Sequence, residues 1–73
     1  MKIGDRVRVV KLPGNLPDDE ILGTKALFAD CLGRVFPIVA FDRHLIELHV
    51  GEVRGEPAYM QSIWIEADCI EPA

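Results

Sequence analysis

Cysteine is scarce in this chain: Cys31 and Cys69 are the two among 73 residues. Small secreted domains held by disulfides usually carry four or more, so a disulfide framework is excluded and a reduced, cytoplasmic setting is expected. Basic residues are few as well. Eight Lys and Arg face twelve Asp and Glu, for a net charge of −4 at pH 7. Nucleic acid calls for a basic face. Here Lys2, Arg6, Arg8 and Lys11 precede an acidic loop, and Arg34, Arg43 and Arg54 are isolated, so no nucleic-acid partner is expected. No apolar run approaches the roughly 20 residues that span a bilayer. The opening stretch MKIGDRVRVV has neither an apolar leader core nor a cleavage site, which predicts no secretory leader and no membrane partner. No catalytic, metal or phosphate-binding motif stands out, and no cofactor is expected.

What is present is apolar. Hydrophobic residues make up 49% and the mean hydropathy is +0.16. A chain of this length forms one domain, residues 1–73, that buries only about 60% of its unfolded surface. A high apolar fraction in so small a body leaves apolar surface over, and self-association would use it.

The pattern along the chain is mostly that of strands. GDRVRVVKL alternates, with Val7 and Val9 inward and Arg6 and Arg8 outward, and predicts a strand over 5–11. PGNLPDDEILG reads as a loop, its Asp18-Asp19-Glu20 run as solvated charge. TKALFADCLG is the one helical signal: Thr24 suits the N-cap, Leu27, Phe28, Cys31 and Leu32 share a face, and Gly33 suits the C-terminal stop, placing a helix at about 25–32. RVFPIVAFD and HLIELHV predict a hairpin of 34–41 and 44–50, with a turn at Asp42-Arg43 and a bulge near Pro37. In the second strand Ile46, Leu48 and Val50 share one side. GEVRGEPAYMQ reads as a second loop, SIWIE as a strand, EAD as a single 3₁₀ turn and CIEP as a short closing strand beside RVRVV.

Five short strands with a one-turn corner before the last predict an all-β fold: a small SH3-like barrel with one short helix in its first long loop. IGDRVRV, a helical turn running into LGRVF, and the ending IWIEADCIEPA together resemble the SH3-like barrels of the electron-transport accessory group, which includes the C-terminal barrel of the nitrile hydratase β-subunit and the variable chain of ferredoxin–thioredoxin reductase. That resemblance implies a non-catalytic accessory piece that packs on a larger, redox or metal-containing enzyme. The chain length is also similar to that of type II dihydrofolate reductase, which implies an alternative: a symmetric homo-oligomeric enzyme with its active site in a shared pore. The matching stretch here is Ser62-Ile63-Trp64-Ile65, without the ligand-reading glutamine of that family.

Individual residues narrow the choice. Cys31 and Cys69 fit no zinc spacing and follow Asp30 and Asp68, which disfavours a thiolate; both read as small core hydrophobes. His44 falls in a turn and His49 on an outward strand face. Glu47, Glu66 and Glu71 read as the polar half of an alternation. Trp64 lies opposite in parity to Ile63 and Ile65. It is either an interface anchor or packed beneath the helix or the 51–61 loop. The function expected is a binding module that pairs with itself, as a dimer or higher, or with another protein. Its expected binding face comprises Trp64, Tyr59, Phe36 and His49, with Met60 nearby.

Overall fold

The computed structural model of the chain describes residues 1–14 and 24–73; the acidic run Asp18-Asp19-Glu20 lies outside the described residues. Five strands and one helix follow in the order β1 (Arg6–Val9), α1 (Thr24–Cys31), β2 (Val35–Asp42), β3 (Leu45–His49), β4 (Ser62–Glu66) and β5 (Ile70–Pro72). All pairings are antiparallel, in the spatial order β4-β3-β2-β1-β5. A 3₁₀ turn at Ala67–Cys69 carries the chain from β4 round to β5. This is the five-stranded SH3-like, barrel-like fold expected from the sequence.

The alternation of β1 sets the pattern. Val7 and Val9 are buried and Arg6 and Arg8 exposed. Ile38 from β2, Ile46 and Leu48 from β3, and Ile63 and Ile65 from β4 fill the same interior, with Val50 just past β3. The closing segment adds Cys69 and Ile70. At eight residues, α1 is too short to persist by propensity. It is held by Phe28 and Cys31, buried on one face, and by partly buried Leu27. Leu32, expected on that face, lies beyond the helix end and is exposed, because the chain there bridges to Val9 instead. Gly33 follows with φ 81°, a left-handed conformation that glycine adopts without strain, and donates its N–H to the Val9 carbonyl at 2.7 Å.

Pro37 sits in a strand with neighbours on both sides, a place proline usually avoids. The register explains it. Ile38 donates to Asp5 at 2.9 Å and accepts from Gly4, so the position before it turns its nitrogen away from β1. The β3 ladder begins only at Ile38, so the N–H that Pro37 lacks costs no ladder bond. The bulge falls two residues later than expected: the β2–β3 register shifts between Ile38 and Ala40. The shift reverses parity, pairing Phe41 with inward Ile46 and Ala40 with outward Glu47, though Phe41, near the strand end, stays exposed. The hairpin loop is Arg43-His44, within the turn expected over Asp42 to His44, with Arg43 at φ 57°. A positive φ at the first of two turn residues is the sign pattern of type II′, whose twist suits a hairpin.

The segment read as a second loop contains two 3₁₀ turns, Gly51–Arg54 and Ala58–Met60. They lie against each other, the first also touching α1 and the second β3. Arg54 and Asp30 form an ion pair at 3.0 Å that ties the first turn to the helix.

Candidate functional site

The outer faces of β3 and β4 form the candidate site, and strand parity builds it. Direct cross-strand pairs are Leu45 with Glu66, Glu47 with Trp64, and His49 with Ser62. Ala40 and Asp42 of β2 extend the first two rows. Ile63 and Ile65 point inward, so Trp64 points outward and keeps 41% of its surface exposed. Of the two open readings of Trp64, the structure supports the exposed one.

Hydrogen-bond direction along β4 follows from one bond. Val50 donates to the carbonyl of Gln61, directly opposite, at 2.8 Å. In an antiparallel ladder, pairs that exchange bonds alternate with pairs that do not. Leu48–Ile63 and Ile46–Ile65 therefore exchange bonds, and Glu47–Trp64 does not. A non-bonded pair brings its side chains closest, which sets the Trp64 indole beside the Glu47 carboxylate. Glu66 follows two residues along the same face. The face thus carries Asp42, Glu47 and Glu66 and no Lys or Arg. His49 Nε2 lies 4.0 Å from Glu47 Oε2.

Of the four residues expected to bind, Trp64 and His49 share this face. Tyr59 is 69% exposed on the 3₁₀ turn that touches β3, with Met60 next to it at 52%. Phe36 does not join them. It is 5% exposed and belongs to the core, because β2 turns Phe36 and Ile38 inward while Pro37 sits outward of them. Sequence reasoning passed over Glu47, Glu66 and Ser62 as partners of Trp64. Period-two spacing already placed Ser62, Trp64 and Glu66 on one face; the β3 register that adds Glu47 was not readable.

Both cysteines are buried, and both thiols are shifted upward. Burial pushes the Cys31 thiol up to about 11, and the charge of Asp30 adds to it. Burial also raises the Cys69 thiol, with Asp68 reinforcing it. A reactive cysteine needs the opposite shift. Asp68 itself is held below the usual carboxylate range by its hydrogen bond from Lys11, 3.1 Å away on the surface. Among the described residues, no cluster of three or more His, Cys, Asp or Glu is placed to hold a metal, and no helix is long and apolar enough to cross a membrane. An open depression lined by Met1, Asp5, Arg6, Val7, Pro72 and Ala73 involves none of the residues expected to bind.

These features define a small SH3-like barrel with an acidic, tryptophan-centred outer face. Compared with protein-family models, curated proteins and solved structures, the chain matches none.

Proposed function

We propose that this chain is a non-catalytic interaction module that associates, with itself or as an accessory to a larger protein, through the side of the barrel marked by Trp64. The observation that carries this reading is the half-exposed Trp64 on β4. Tryptophan is among the residue types that most often anchor interfaces, because it offers a large apolar area with few rotatable bonds. Tyr59 and Met60 add exposed apolar surface nearby in sequence, and the raised cysteine thiols support a non-catalytic role. The resemblance to accessory barrels points the same way.

The test is association measured with and without the anchor. Sedimentation of the purified chain, and capture from a native extract, are compared for wild type, Trp64→Ala and Tyr59→Ala. Truncating an anchor tryptophan costs at least about 2 kcal/mol of binding, roughly thirtyfold in affinity, and Trp64→Ala should show a loss of that size while its melting curve stays intact. A chain that sediments as a monomer, captures nothing, and is indifferent to Trp64→Ala would sink the reading.

A further inference from the structure

The two ends of the sheet differ sharply, and the difference identifies a partner. Ala73 donates to Arg6, directly opposite, at 3.0 Å, which by alternation turns Ile70 and Pro72 toward the free side of β5. Neither has a donor to offer there. Pro72 has no N–H, and Ile70 spends its own on the Ala67 carbonyl. The β5 edge is blunted in the way natural sheets guard against unwanted pairing.

Among the described residues, the β4 edge carries no such block. By the same alternation, Ser62 and Trp64 direct both N–H and C=O away from β3, and Glu66 its N–H, while the Glu66 carbonyl opens the 3₁₀ turn at Ala67–Cys69. Among the described residues, no strand pairs with that edge. The strand runs five residues without Pro or Lys, two of the common protections of an exposed edge. An extended partner adding to it would recover main-chain bonds while its side chains met Trp64.

The geometry points to a second copy of this chain as that partner, pairing β4 to β4 in antiparallel fashion about a two-fold axis at Trp64. This rests on the interaction-module reading and names its occupant. Charge selects the arrangement. Stacking two copies face to face would press together two faces that each carry Asp42, Glu47 and Glu66 and no Lys or Arg, which repel. Edge pairing centred on Trp64 instead sets Ser62 opposite Glu66 of the second copy, and Trp64 opposite Trp64. Every edge-facing residue of one strand then meets an edge-facing residue of the other: the Trp64 pair exchanges two main-chain bonds, and each Glu66 donates its N–H to the Ser62 carbonyl opposite. Centring on Ser62 or Glu66 leaves part of the edge unpaired, and centring on Glu66 also opposes like charges. The Trp64 register satisfies both strands and leaves no carboxylate facing a carboxylate.

The experiment is a charge swap across the two-fold, read by sedimentation equilibrium on the full chain. Ser62→Glu puts a carboxylate opposite Glu66 at two symmetry-related places and should weaken the dimer about tenfold, less at high salt. The double variant Ser62→Glu/Glu66→Lys pairs opposite charges and should restore or tighten it. Amide exchange gives a second readout that needs no mutation: the N–H groups of Trp64 and Glu66 should be protected at concentrations where the dimer forms and lose protection on dilution. Three outcomes would overturn the inference. A dimer indifferent to Ser62→Glu is assembled some other way. Protection of the Trp64 and Glu66 amides that persists in the monomer means the edge is already covered within the chain. A wild-type monomer at high micromolar concentration that still binds another protein through Trp64 rejects self-pairing while leaving the interaction module standing.

Discussion

Gly51 is the residue whose side-chain absence the fold uses most directly. It is buried and opens the first 3₁₀ turn after β3. A Cβ there would run into the Pro57 carbonyl, with its oxygen in severe overlap and its carbon 2.9 Å away. These are backbone atoms, so no rotamer change relieves the overlap and the two 3₁₀ turns would have to part. Glu56 N–H also donates to the Gly51 carbonyl at 3.1 Å, so the close approach is tied on both sides. Overpacking of this kind costs about 1–3 kcal/mol. In a domain this small each kcal/mol shifts the midpoint by roughly 4–8 °C. Gly51→Ala should therefore lower the melting temperature by several degrees or more, as followed by circular dichroism. An unchanged midpoint would mean that the turns do not pack as described. The sequence showed Gly51 only as one of several loop glycines. What makes it special is a contact with Pro57, and no local rule ties those two residues together.

At the scale of elements, the closing segment does more than its length suggests. Val10 and Lys11 both donate to the Cys69 carbonyl, at 2.8 and 3.4 Å, and Val7, Arg8 and Val9 pair with Pro72, Glu71 and Ile70. Cys69 and Ile70 are buried. Losing a buried residue of isoleucine size costs about 2–5 kcal/mol, against a total stability of roughly 0.05–0.15 kcal/mol per residue. A chain truncated after Glu66 should consequently show no cooperative thermal transition, whereas a sharp melt would show that β5 is dispensable. This corner was legible in the sequence because EAD is too short for a helix and interrupts a clean alternation. β3 was legible through Glu47 between Ile46 and Leu48, and β4 through Ser62 and Glu66 bounding Ile63, Trp64 and Ile65. β2 was not. Val35 to Phe41 is apolar on both sides, so a period of two cannot be read from it. Pro37 drew the bulge toward itself, although the strand changes partners there without needing one. Phe36 was misassigned to the surface through that same ambiguity.

For the molecule as a whole, period-two spacing reveals which face a residue occupies, but not which edge its backbone serves. That second property depends on which strands become neighbours and in what register, and it is why Trp64 was visible as a candidate while the open β4 edge was not. It also links association to stability. A partner that binds the folded chain and not the unfolded one raises the melting temperature by mass action. If the folded species is the β4-paired dimer, unfolding releases two chains, and the midpoint rises with protein concentration. With an unfolding entropy near 2.1 cal/mol/K per residue, each tenfold increase above the dissociation constant should raise it by roughly 4–5 °C. Ser62→Glu, which sets like charges across the two-fold, should flatten that dependence at intermediate concentrations, and the double variant Ser62→Glu/Glu66→Lys should bring it back. Differential scanning calorimetry over two decades of concentration measures all three. A midpoint independent of concentration in the wild type would show that the barrel carries its stability alone, without pairing through β4.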